Sequence, residues 1–140
     1  MPDSLEHLFT CRTYIEDTDM GGVVHHRNYL KYAERARVEF LNSLGFDLAD
    51  FIKEGQVFFV IRKCVIEYLA PAFFGDLLQV KTTLLHWTKA RIVFKQILVK
   101  DDKAIADIQM TLASVDGKMK KLVPIPEALR AILSKFETNN

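Results

Sequence analysis

Between Tyr14 and His26 the chain sets Glu16, Asp17 and Asp19, then Gly21-Gly22, then His25 and His26. Residues of these types, this close together, suit several chemistries. Asp17-Thr18-Asp19 with Gly22 begins like a calcium loop, which takes oxygen ligands at its first and third positions and glycine at its sixth. Gly21 then falls on the fifth position and Asn28 on the twelfth, where a side-chain ligand and a bidentate Glu are required. An Asp-x-Asp after a strand also suits a phosphoaspartate enzyme. Those enzymes need an apolar lead into the first Asp and a parallel α/β domain, and here Glu16 holds the lead position. Adjacent histidines are expected to point apart, by about 100° on a helix, whereas zinc sites use spacings such as i, i+4. No metal is expected.

Two readings remain. In one, the stretch is a solvated turn whose carboxylates favour the start of a helix by roughly 0.3–1 kcal/mol each. In the other, one carboxylate is a general base or nucleophile. Free N–H groups at the helix start then stabilise an oxyanion. Gly21-Gly22 costs backbone entropy, so either φ > 0 is needed or something approaches the backbone closely. Such a site suits acyl transfer to water. Spacing does not choose among Glu16, Asp17 and Asp19.

The elements that must hold this stretch are legible around it. Leu8 to Ile15 reads as a short strand. Tyr29, Ala33, Ala36, Phe40 and Leu44 share one helical face, predicting a helix from Tyr29 to Leu44. Asp47 caps a second helix to about Lys53, ended by Gly55. The period then changes. Val57 to Tyr68, Leu77 to Trp87, Arg91 to Lys100 and Ala104 to Val115 read as four long strands in a meander, with Asp101-Asp102-Lys103 as a tight hairpin. Pro126 to Phe136 reads as a C-terminal helix opened by proline. The order predicts an α+β domain with a mostly antiparallel sheet.

The totals exclude whole classes of partner. A length of 140 residues matches a single domain, and ten Phe, four Tyr and one Trp supply a dense core. A net charge of +1 gives no field to hold nucleic acid. No apolar run approaches the roughly 20 residues of a membrane span. Met1 to Leu8 lacks the basic and apolar regions of a signal peptide. Cys11 and Cys64 lack CxxC spacing and read as reduced core residues of a cytoplasmic protein.

The run Tyr14-x-Glu16-Asp17-Thr18-Asp19-x-Gly21-Gly22-Val23-Val24-x-His26-x-x-Tyr29, followed by Tyr32-x-Glu34-Arg35-Ala36-Arg37, resembles the signature of hot-dog-fold acyl-CoA thioesterases. It is most similar to the YbgC-like branch related to 4-hydroxybenzoyl-CoA thioesterase. The resemblance continues through Phe59-Val60-Ile61-Arg62-Lys63, Glu67-Tyr68-x-Ala70-Pro71-Ala72 and Gly75-Asp76. It implies an antiparallel sheet wrapped around a long central helix. It also implies a homodimer paired along the strand Val57 to Tyr68, often doubled to a tetramer, with active sites at the interface.

By position, the resemblance makes Asp19 the catalytic carboxylate, attacking the thioester carbonyl or activating water. It makes His26 the residue whose backbone N–H polarises that carbonyl. It sets Gly21, Gly22, Val24, His25 and Tyr29 around the substrate, with His25 standing where relatives often carry an aromatic residue such as Tyr. Arg62, Lys63, Lys89 and Arg91 become candidates for the coenzyme phosphates. Coenzyme A is part of the substrate, and no separate cofactor is implied. An acyl carrier protein thioesterase and a non-catalytic acyl-binding or protein-interaction module are the alternatives.

Overall fold

The structure, a computed structural model, describes residues 6–118 and 121–135. The first five residues and Phe136 of the expected C-terminal helix lie outside the described residues.

Five antiparallel strands form one sheet: β1 (Glu6–Arg12), β2 (Val57–Tyr68), β3 (Leu77–Trp87), β4 (Arg91–Lys100) and β5 (Lys103–Asp116). Among the described residues three α-helices accompany them: α1 (Asn28–Ser43), α2 (Leu48–Glu54) and α3 (Glu127–Leu133). The sheet order is β1-β3-β4-β5-β2. The expected α+β, mostly antiparallel class is therefore observed. The expected four-strand meander is corrected. Only β3, β4 and β5 follow one another in space, while β2 lies against β5 at the far edge. Local pattern identifies a strand but not its neighbour. Here the intervening strands separate β2 from β3, and β2 is left with one edge unpaired by any described strand.

Helix α1 forms where the apolar spacing predicts it. Tyr32, Ala33, Ala36 and Phe40 are fully buried along one face. They pack with Leu78, Val80, Leu98 and Ile108 towards one end of the sheet, and with Leu84, Ile92 and Phe94 towards the other. The alanines let the helix come close. Gln96, fully buried on β4, reaches the Ala33 carbonyl with its Nε2 at 2.8 Å. Truncating Phe40 to Ala would cost about 3–5 kcal/mol, as cavity creation at a fully buried aromatic does.

The turns follow local chemistry. The Asp47 carboxylate accepts from the Asp50 N–H at 3.1 Å and caps α2. Asp101 and Asp102 take φ of 51° and 66°, the two successive left-handed residues of a two-residue hairpin. The expected three-residue link thus shortens, because Lys103 already pairs with Lys100.

Candidate active site

The stretch from Thr18 to Val24 is a small hairpin. Thr18 bridges Val24, the Asp19 N–H donates to the Val23 carbonyl at 3.0 Å, and the His25 N–H donates to the Asp17 carbonyl at 2.9 Å. The Gly22 N–H closes the tip on the Asp19 carbonyl at 3.0 Å, and Gly22 has φ of 77°. This is a short hairpin loop ending in a left-handed residue, which favours glycine. A Cβ on Gly22 would meet nothing within 4 Å, so within this chain the backbone angle, not crowding, calls for glycine. Asp19 sits at the tip, and His26 follows the foot.

The three carboxylates now separate. Asp17 is buried. Its Oδ2 accepts from the Tyr14 N–H at 2.8 Å and from the Tyr32 hydroxyl at 2.9 Å. Its backbone carbonyl takes a further hydrogen bond from Asn28 Nδ2 at 2.6 Å. Burial, and then the hydrogen bond to Asp17, push the Tyr32 hydroxyl well above the usual tyrosine range. Asp17 therefore ties the loop to α1. Asp19 is exposed, and its Oδ1 accepts only the Gly21 N–H, at 3.2 Å, among the described residues. Glu16 is also exposed, on the short 3₁₀ turn Ile15–Asp17.

The expectation of several free N–H groups at the start of α1 is corrected. Arg27 N–H donates to His25 Nδ1 at 3.3 Å, and those of Asn28, Tyr29 and Leu30 donate to the carbonyls of His25, His26 and Arg27. The His26 N–H has no acceptor among the described residues. The divergence expected of His25 and His26 is also corrected. Their rings stack with centroids 4.5 Å apart and planes 23° apart, because they lie at the entry turn rather than on regular backbone. No three His, Cys, Asp or Glu side chains among the described residues are grouped to hold a metal ion.

The segment after β2 braces this hairpin. Val24 N–H donates to the Ala72 carbonyl at 2.8 Å, and Phe74 N–H to the Gly22 carbonyl at 2.9 Å. The Tyr29 hydroxyl accepts from Ala72 N–H at 2.9 Å and donates to the Ala70 carbonyl at 3.3 Å. Fully buried Thr13 donates from its hydroxyl to the Phe73 carbonyl at 2.6 Å. Burial alone would raise the Asp76 carboxyl. Lys100 Nζ at 2.8 Å and the Phe73 N–H more than offset this and hold it below the usual carboxylate range.

Not every expected site residue is exposed beside Asp19. Val24 and Tyr29 are core residues, each 3 % exposed, and Tyr29 acts as a brace. Gly21, Gly22, His25 and His26 remain with Asp19. Tyr68 joins them, its ring 5.7 Å from that of His26 and 5.5 Å from that of Tyr29. Lys89 and Arg91 are at the opposite end of the sheet. The loop is braced near Leu77, and β3 carries eleven residues from there to Trp87, about 33 Å at the usual strand rise. Arg62 marks the break in register on β2, between Ile61 and Lys63, and both Arg62 and Lys63 are exposed. Tyr32 stands out in the sequence only as part of the motif. Its inward helical position is the signal that marks it, since a buried tyrosine hydroxyl usually finds a partner.

A sequence model described as the thioesterase-like superfamily matches residues 14–133, and the chain belongs to that superfamily. Its similarity to curated relatives runs through most of its length. It is 40 % identical over 124 residues to the acyl-CoA thioesterase YbgC of Haemophilus influenzae, covering 88 % of this chain and 90 % of that one. It is 35 % identical over 121 residues to the acyl-CoA thioester hydrolase YbgC of an Escherichia coli O6:H1 strain, covering 86 % and 90 %. Among solved structures, a probable thioesterase from Bartonella henselae superposes with a TM-score of 0.79 at 32 % identity, over 87 % of this chain and 100 % of that one. The sheet and its helices are those of the hot-dog thioesterases. No helix among the described residues is long and apolar enough to cross a membrane.

Proposed function

We propose that this chain hydrolyses acyl-CoA thioesters to a carboxylic acid and free coenzyme A, with Asp19 as the reacting carboxylate. The observation that carries the assignment is the contrast within the hairpin. Asp17 is buried and occupied on its side chain and backbone, while Asp19 is exposed with one weak backbone partner. Asp19 takes a proton from water, or attacks the carbonyl carbon directly. The His26 N–H donates to the carbonyl oxygen as negative charge develops there. With water as the nucleophile, the C–S bond then breaks, the thiolate leaves and takes up the proton held by Asp19, and the oxygen delivered by water stays with the acid; with Asp19 as the nucleophile, the thiolate leaves an acyl–Asp19 anhydride, which water hydrolyses to the acid and the free carboxylate. A thioester is activated enough that a carboxylate and an amide donor suffice.

The relatives' activity supports this reading, since two YbgC proteins so similar over most of the chain carry acyl-CoA thioester hydrolase names. The unpaired edge of β2, with Ile61, Val65 and Tyr68 exposed, supports a homodimer paired along that strand. Lys89 and Arg91, about a strand's length from the hairpin within one chain, are the basic residues that a second copy would bring to the coenzyme.

The test is thiol release from a panel of acyl-CoAs, from short aliphatic to long and aromatic, beside acyl carrier protein thioesters. Turnover of at least one acyl-CoA is expected. No release from any of them would contradict the assignment, and faster release from the carrier protein would move the substrate to that class.

A further inference from the structure

The His26 N–H stands without an acceptor among the described residues. An amide that serves a developing oxyanion must be held in place before the reaction begins, and a misplacement of about 1 Å can cost a hundredfold in rate. What holds His26 therefore bears on turnover. Its carbonyl takes the Tyr29 N–H at 3.2 Å, a longer contact than the 2.9 Å between the Asn28 N–H and the His25 carbonyl. Its side chain is exposed and makes no hydrogen bond among the described residues. No polar contact fixes the ring, so other rings must.

Two rings meet it. His25 stacks on it with centroids 4.5 Å apart, but His25 belongs to the same entry turn and moves with it. Tyr68 meets it edge to face, at 5.7 Å and 86°, an arrangement that the charge distribution of aromatic rings favours. Tyr68 lies outside the turn. It is the last residue of β2 and pairs with Ala106 of β5. Just beyond it, the Leu69 and Ala70 N–H groups both donate to the Ile105 carbonyl, at 2.9 and 3.2 Å. The ring is thus carried on backbone tied to the sheet, and strands hold a site more precisely than loops do. The same ring lies 5.5 Å from that of Tyr29, whose hydroxyl is tied to Ala70 and Ala72. His26, Tyr29 and Tyr68 therefore close a circuit between the start of α1 and the end of β2. The Tyr68 hydroxyl has no hydrogen-bond partner among the described residues, so the ring makes the contact.

We propose that Tyr68 is a positioning residue for thioester hydrolysis, its ring holding His26 so that the backbone N–H stays aimed at the thioester oxygen. The proposal rests on the reading of His26 as the oxyanion donor. Every contact in the circuit lies within one chain.

The experiment measures kcat and KM for an acyl-CoA in Tyr68→Leu, Tyr68→Phe, His26→Ala and the Tyr68→Leu/His26→Ala double variant. Nitrogen-15 relaxation of the His26 amide in the whole protein accompanies it. Tyr68→Leu should lower kcat about ten- to a hundredfold, less than outright loss of an oxyanion donor costs, with KM little changed. Tyr68→Phe should recover most of that kcat. His26→Ala keeps the N–H but removes the ring that Tyr68 holds. It should lose kcat to a similar degree, and it carries the test if Tyr68→Leu disturbs folding or assembly. The double variant should be little worse than either single one, because both remove the same contact. The order parameter of the His26 amide should fall from about 0.85 to below about 0.6 in Tyr68→Leu and stay high in Tyr68→Phe. A loss confined to KM, a Tyr68→Phe variant as slow as Tyr68→Leu, single losses that multiply in the double variant, or an unmoved His26 amide would each overturn the proposal. An active unaltered chain whose Tyr68→Leu variant keeps full kcat overturns this proposal alone. An unaltered chain that turns over no acyl-CoA overturns the thioesterase reading and this proposal with it.

Discussion

Asp17 and Asp19 stand two residues apart in very different surroundings. Asp17 is buried, and its Oδ2 is shared between a backbone N–H and the Tyr32 hydroxyl. Asp19 faces solvent at a hairpin tip, with one long contact to the Gly21 N–H. A buried, satisfied carboxylate is a structural part, because moving its charge breaks several hydrogen bonds at once. An exposed one with free lone pairs can meet a substrate or a water. The same side chain is a tie in one place and is left open to react in the other, and the surrounding donors decide which.

The largest expected effect is on turnover. Asp19→Asn should lower kcat/KM for acyl-CoA by about 10²–10⁴, the usual worth of a positioned acid–base group, while the melting temperature stays near that of the unaltered chain. Asp17→Ala should reverse this pattern. It leaves the Tyr32 hydroxyl and the Tyr14 N–H without their carboxylate, at a cost of about 1–3 kcal/mol for each buried group left unpaired. Denaturant unfolding measures that loss, and activity should fall only as far as the loop loosens.

The glycines sharpen the comparison on a smaller scale. Gly22→Ala forces a side chain into φ of 77° and should cost about 1 kcal/mol or more in thermal unfolding, with a loss of turnover as the tip shifts. Gly21→Ala places a Cβ 3.9 Å from Asp19 Oδ1, an ordinary contact, and should be nearly neutral to stability.

The smallest effect emerges only in base. The Tyr32 hydroxyl is held above the usual tyrosine range, first by burial and then by Asp17. Below about pH 10 tyrosine is protonated in both the folded and unfolded chain, so the shift makes no difference there. Above that pH the unfolded chain ionises first, and stability is lost as pH rises towards the folded value. Tyr32→Phe should flatten part of this fall. Tyr29 and Tyr68, also raised by burial, account for a remainder.

Much of the fold is legible in the sequence. β2, β3 and β4 run between the residues that composition and turn signals mark, and α1 begins one residue earlier than its apolar face predicts. These features are local, set by period and by Gly, Pro and Asp at the ends. The features that are not legible depend on distant partners. The place of β2 beyond β5 is decided by pairing across the whole sheet. The choice between Asp17 and Asp19 depends on Tyr32, fifteen residues on from Asp17, which no spacing rule connects to either. The stacking of His25 on His26, and a His26 N–H without an acceptor among the described residues, both follow from an entry turn that a regular helix start does not describe. Val24 and Tyr29 share the motif with exposed Asp19, but they are buried, so the motif holds scaffold as well as exposed residues.

The most direct test of Asp19 as the reacting carboxylate is thiol release by Asp19→Ala with and without added formate, beside Asp17→Ala under the same conditions. Formate fits the space left by an exposed carboxylate and can stand in for it. Asp19→Ala should lose turnover at least about a hundredfold, with part of it restored by formate, and Asp17→Ala should show no formate response. Turnover by Asp19→Ala within a few-fold of the unaltered chain would contradict the assignment.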